Sequence, residues 1–201
     1  MEAREWQLDV LKEAGTVGIG NAAKALSSML CDRMVYVSVP SVRFVPLSEA
    51  AWIWGDPEAI ILAAYVPFTG GLSGSAVFGL PEDAVRTFMR FMSLAAEVEC
   101  EMYSIFTEMA NIVVTSYLNA LSSMTGWVLR PSVPRVAETM AGAVIESVLA
   151  LMEHTNDSAT VIDTTFSLEG GHRLLGGRLI LVPDKMSLCG FLQAVEATYC
   201  R

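Results

Sequence analysis

Glu108 and Asn111, three residues apart, are the pair in this sequence best suited to chemistry on another molecule. If the surrounding residues are helical, both side chains leave the same face about one turn from each other. A carboxylate placed this way can pair with a cation in a partner's site. A carboxamide can accept one hydrogen bond and donate another, so it can hold a water in line with a phosphorus atom. Neither group has to be a strong base, because phosphoryl transfer has a loose transition state and catalysis comes mostly from positioning and charge stabilisation. Standing alone, such a pair is as ordinary as any solvated helix face. Its weight comes from the frame around it.

That frame occurs twice. Ala-Leu-Ser-Ser-Met at positions 25–29 returns at 120–124, an offset of 95. The same offset carries Asp9 onto Ser104, Glu13 onto Glu108 and Thr16 onto Asn111. Val39-Pro40 pairs with Val133-Pro134 at an offset of 94, and 74–81 resembles 176–183 at an offset of 102, small shifts of the kind loop insertions produce. Such self-similarity reads as a duplication: two repeats, about residues 5–95 and 97–199, in a single domain spanning 1–201. With no Pro-rich or Gly/Ser-rich linker between them, the halves are expected to share one core.

The elements that would position these residues follow from periodicity. Leu8, Leu11, Gly15, Gly18, Ala22, Ala25 and Met29 recur at the three-and-four spacing of a buried helical stripe. The opposite stripe reads Asp9, Glu13, Thr16, Gly20, Lys24 and Ser27, and a second helix over 101–124 repeats it as Ser104, Glu108, Asn111, Thr115, Asn119 and Ser122. Val35, Val37 and Val39 alternate with Tyr36 and Ser38, which predicts a half-buried strand ending at Pro40. Residues 59–66, 74–80, 160–168 and 173–182 also read as strands, and Pro81 and Pro183 introduce helices running to Met92 and Val195. An additional helical segment, 136–153, is expected in the second half only. The resulting fold class is α+β with pseudo-twofold internal duplication, two long helices packed on a mainly antiparallel β-sheet.

The run Leu11-Lys12-Glu13-Ala14-Gly15-Thr16-Val17-Gly18-Ile19-Gly20-Asn21-Ala22-Ala23 resembles the first-helix signature of the CheC, CheX and FliY phosphatases, CheC above all. Phe106-Thr107-Glu108-Met109-Ala110-Asn111-Ile112 resembles its second copy. The family pattern is Asp or Ser, three residues, Glu, two residues, Asn, then a proline about 23 residues on, and Ser104, Glu108, Asn111 and Pro134 match it. The resemblance implies a phosphatase acting on the aspartyl phosphate of a CheY-type response regulator in chemotaxis signalling. Glu108 would pair with a lysine of the regulator and Asn111 would orient the attacking water, with Asp9, Ser104, Pro40 and Pro134 as supporting positions. Magnesium (Mg2+), where needed, would be bound by the regulator, so the chain is expected to have no cofactor or metal of its own.

The first copy departs from the pattern. Thr16 stands at the asparagine position, and Pro40 lies one residue further away than its counterpart. A threonine side chain is short and stiff, so Glu13 and Thr16 are expected to form a degenerate site, weak or silent. The resemblance also carries a rival reading, a catalytically weak or inactive binding module for CheD or the flagellar switch, as in FliM's middle domain. CheD docking would then fall on 136–153. A phosphatase for a regulator outside chemotaxis is the third reading.

Composition narrows the remaining classes. A hydrophobic fraction of 53% and a mean hydropathy of +0.45 raise a membrane reading, but no apolar run approaches the roughly 20 residues that a spanning helix needs. The opening Met1-Glu2-Ala3-Arg4-Glu5 lacks a basic region followed by an apolar run, and the chain reads as cytoplasmic. A net charge of -9, with 13 dispersed basic residues, argues against a nucleic-acid partner. Cys31, Cys100, Cys189 and Cys200 are too scattered for a metal site or disulfide framework and read as buried or incidental thiols. Gly18-Ile19-Gly20-Asn21-Ala22-Ala23 fits a dinucleotide-binding pattern, yet lies within a helical stripe instead of after a strand. Trp52 and Trp54 read as aromatics of a strand or loop, buried or at an edge, ahead of a partner surface.

Overall fold

The computed structural model describes residues 5–29, 35–91, 99–151, 158–168 and 172–199. Its elements run in two similar series. The first is α1 (Glu5–Met29), β1 (Val35–Pro46), a 3₁₀ helix (Leu47–Trp54), β2 (Ile60–Gly70), β3 (Gly74–Pro81) and α2 (Glu82–Phe91). The second is α3 (Glu99–Thr125), β4 (Leu129–Pro131), β5 (Arg135–Met140), α4 (Ala141–Leu151), β6 (Ser158–Leu168), β7 (His172–Pro183) and α5 (Lys185–Tyr199).

All the strands join one antiparallel sheet in the order β1-β6-β7-β3-β2-β4, with β5 also paired to β2. This order reads the same from either end once the repeats are exchanged. Strands β3 and β7 meet at the centre, Ala76 opposite Leu181 and Phe78 opposite Leu179. The expected α+β duplication is therefore the observed architecture.

Because side chains alternate across a strand, each central strand feeds two cores. Leu62, Ala64, Val66 and Phe68 of β2 face the long helices, while Ile61 and Ala63 face a second cluster with Val77, Ile180 and α4 residues Val144, Ile145 and Val148. Strands covered on both sides read as unbroken apolar runs, which accounts for the high hydropathy. Among the described residues no helix is long and apolar enough to cross a membrane.

Helices α1 and α3 lie together on one side of the sheet. Leu11, Ala14, Ala22 and Leu26 of α1 share a cluster with Phe106, Met109, Ala110, Val113, Tyr117 and Leu121 of α3. The helix backbones approach closely at Gly18, where a Cβ would fall 2.8 Å from Tyr117 Cα and 2.9 Å from the Ser116 carbonyl oxygen. The buried Tyr117 hydroxyl donates to the Leu11 carbonyl oxygen at 3.2 Å, and burial pushes its pKa well above the usual tyrosine value. Phe106 of α3 stacks on Phe78 of β3 at 5.8 Å between ring centres, so the second helix rests on a strand of the first repeat.

On the other face, a polar cluster joins three strands. Asp163 of β6 accepts from Arg178 at 3.0 Å and from the Ser41 hydroxyl, and pairs with Arg43 at 3.5 Å. Burial alone would raise its pKa. The Ser41 hydrogen bond and the two arginines outweigh that and hold the carboxyl below its ordinary value.

Five expectations are corrected. Strand β1 does not end at Pro40 but runs on to Pro46, with a register shift between Ser38 and Ser41. Two residues there oppose one on β6, an irregularity that lets a strand accommodate a residue with no N–H to donate. Segment 136–153 is not all helix: Arg135–Met140 is strand β5, and among the described residues of the segment the helical ones are Ala141–Leu151, residues 152 and 153 lying outside them. Nor is that helix peculiar to the second half, since the 3₁₀ helix holds the matching place in the first and packs against α4. Trp52 and Trp54 accordingly lie in the 3₁₀ helix, not in a strand or loop, with Trp52 63% exposed and Trp54 half-buried over Gly79. Finally, Ala25 is exposed. The buried stripe passes through Leu26 instead, because a 3.6-residue period drifts from a strict heptad.

Candidate functional site

The N-terminal half of α3 is held down by Phe106, Met109, Ala110 and Val113, all buried. Its opposite face is what remains for a partner. There Ser104 and Glu108 are exposed and Asn111 is half-buried. The helical geometry places Glu108 and Asn111 one turn apart on a rigid element rather than on a loop. Among the described residues Glu108 forms no ion pair, so its carboxylate is available to a cation supplied from outside.

Asn111 has a side-chain partner on its own helix. The Thr115 hydroxyl, half-buried one turn further on, donates to Asn111 Oδ1 at 3.3 Å. Sequence reasoning placed Thr115 on the polar stripe but gave it no part in the site. The signal was the i, i+4 spacing. Among the described residues the amide Nδ2 has no hydrogen-bond partner, so it and the second lone pair of Oδ1 can serve a water.

The first copy differs in chemistry although its frame is the same. Asp9, Glu13 and Thr16 are all exposed on α1. The Thr16 hydroxyl donates to the Lys12 carbonyl oxygen at 3.0 Å, so its one proton is spent on its own helix. The position equivalent to Thr115 is Gly20, which has no side chain to orient anything.

The two prolines differ in setting. Pro134 is half-buried between β4 and β5, whereas Pro40 lies within β1 at the register shift. Gly18 and Gly20 sit in the middle of α1 with no strand before them, and Gly18 serves the contact with α3, so the dinucleotide pattern has no structural context. Of the buried or incidental thiols expected, Cys189 is an exposed one. Cys31 and Cys200, and the side chain of Cys100, lie outside the described residues.

An exposed carboxylate beside a tethered carboxamide can dock on a cation and order a water; it has no nucleophile of its own. No family model matches the chain. It is 29% identical over 188 residues to the CheY-P phosphatase CheC of Bacillus subtilis (strain 168), covering 90% of each chain. Thermotoga maritima FliY superposes with a TM-score of 0.76 over 98% of this chain and 100% of that one, at 21% identity. The FliM middle domain from H. pylori gives a TM-score of 0.64 over 96% of this chain and 99% of that one, at 9% identity. The chain is thus similar in sequence to CheC along nine-tenths of its length and shares the fold of FliY.

Proposed function

We propose that this protein removes the phosphoryl group from the aspartyl phosphate of a CheY-type response regulator. Glu108 pairs with a lysine of the regulator's site, and the Asn111 amide orders the water that attacks phosphorus from the side opposite the aspartyl oxygen. Any Mg2+ stays with the regulator. Reaction in trans fits a cytoplasmic protein that meets its substrate by docking the α3 face. The observation that carries the reading is the exposed Glu108 beside a hydrogen-bonded Asn111 on α3, in a chain similar to a CheY-P phosphatase over nine-tenths of its length.

The test is the decay of a phosphorylated CheY-type regulator followed with wild type and single variants. Removing a group that stabilises only the transition state costs roughly 100-fold or more in comparable cases. Asn111→Ala is therefore expected to lower the accelerated rate by about that factor, Glu108→Gln by about tenfold or more, and Glu13→Gln by less than about twofold. A wild-type protein that binds the regulator without speeding decay would overturn the reading in favour of a binding module for CheD or the flagellar switch. Equal damage from Glu13→Gln and Glu108→Gln would show the α1 site to be active as well.

A further inference from the structure

We infer that Thr115 is a positioning residue that locks the Asn111 amide in the orientation needed to hold water. The inference rests on the reading that Asn111 orders the attacking water, and it adds the residue on which that ordering depends.

The observation is a contrast within this chain. Serine and threonine hydroxyls on helices ordinarily donate to the carbonyl oxygen four residues back. Thr16, Thr87, Thr107, Ser123, Thr125 and Ser147 all do so here, onto Lys12, Asp83, Tyr103, Asn119, Leu121 and Ala143. Thr115 instead donates to the side chain of the residue four back, at 3.3 Å from Asn111 Oδ1. Thr115 thus spends its proton on the side chain proposed to hold the reacting water.

The bond has a definite consequence for the amide. The terminal torsion of asparagine is broad and roughly two-fold, so a free Asn111 would present its oxygen or its nitrogen to a partner with similar ease. A donor held against Oδ1 favours one of those arrangements, because the NH₂ group cannot accept that proton. The water therefore meets a preset donor and acceptor pair on every encounter, and torsional freedom is not lost at the moment of reaction. The first copy shows the complement: with Thr16 at the amide position and Gly20 at the threonine position, it lacks both the group to be oriented and the group that orients it.

Two measurements on the full chain test this. The first is the NMR order parameter of the Asn111 side-chain amide, assigned by its loss in Asn111→Ala, in wild type, Thr115→Val and Thr115→Ser. The amide should loosen in Thr115→Val, which keeps the shape and removes the donor, and return to wild-type order in Thr115→Ser. The second is decay of the phosphorylated regulator with the same variants. A lost orienting hydrogen bond of ordinary strength predicts a fall of about two- to tenfold in kcat with KM little changed, and Thr115→Ser should recover most of it.

An amide as ordered in Thr115→Val as in wild type overturns the inference whatever the rates are. So does a loosened amide in an active protein whose Thr115→Val rate equals wild type. If wild type fails to accelerate decay, the phosphatase reading falls, and the order parameters still decide whether Thr115 holds Asn111.

Discussion

At position 16 the chain carries a hydroxyl and at the equivalent position 111 a carboxamide, and the difference is larger than the loss of one nitrogen. The Thr16 proton is committed to the Lys12 carbonyl oxygen, whereas Asn111 receives a hydrogen bond from its neighbour and keeps its own donors. On the proposed mechanism, the amide and the hydroxyl that steadies it would both have to be present for α1 to work as α3 is proposed to. In an Asn111→Ala background, where the proposed α3 site is expected to be silenced, Thr16→Asn together with Gly20→Thr should restore more regulator dephosphorylation than Thr16→Asn alone. A Cβ at Gly20 meets no atom within 4 Å, so the threonine has room. Equal activity in the two variants would count against a shared requirement. That Glu108 and Asn111 share a face was legible from their spacing, because helical geometry alone decides which residues do. The Thr115 bond was not, since periodicity cannot say whether a hydroxyl turns to a backbone carbonyl or to a side chain at the same distance along the helix.

At the scale of elements, α1 is pinned to α3 through one glycine and left open at another two residues later. A methyl group at Gly18 would collide with the backbone of Tyr117 and Ser116 at 2.8 and 2.9 Å, atoms that cannot rotate aside. At Gly20 it would meet nothing within 4 Å, and alanine is the better helix former there. Gly18→Ala is expected to destabilise the fold by about 1–3 kcal/mol, as overpacking does. Gly20→Ala is expected to stabilise it by about 0.5–1 kcal/mol. Urea unfolding of the two variants checks the pair, and similar shifts in one direction would show that helix propensity, not the α1–α3 contact, decides the outcome. Elements with strong local periodicity were read correctly from sequence, the long helices and the four central strands among them. Strand β5 was missed because its identity is settled by pairing with β2, Ala63 opposite Ala137 and Leu62 opposite Glu138, a long-range fact, while the apolar residues of α4 extended a helical pattern back over it. The continuation of β1 past Pro40 was missed for a related reason: the rule that proline ends a strand assumes a regular ladder, and β1 breaks register there.

For the whole molecule, the duplication raises the question of whether either repeat could stand alone. Its geometry answers through the seam. Strands β3 and β7 pair along their length at the centre of the sheet, so parting the repeats would leave two long apolar edges unpaired and would strip cover from Phe78, Leu179 and Ile180, none of them exposed. Phe106 would lose its stacking partner Phe78, and with it a contact that seats the stretch of α3 bearing Glu108. Unpaired edges and uncovered cores favour aggregation over independent folding. A chain of residues 1–95 and a chain of residues 96–201 should therefore each fail to unfold cooperatively when produced alone. Co-expressed, the two should associate into a complex with a single unfolding transition, and regulator dephosphorylation should return with the complex. A first half that folds by itself, with its own sharp transition, would mean that the shared sheet is an assembly of two independent units and that the seating of α3 on β3 is dispensable.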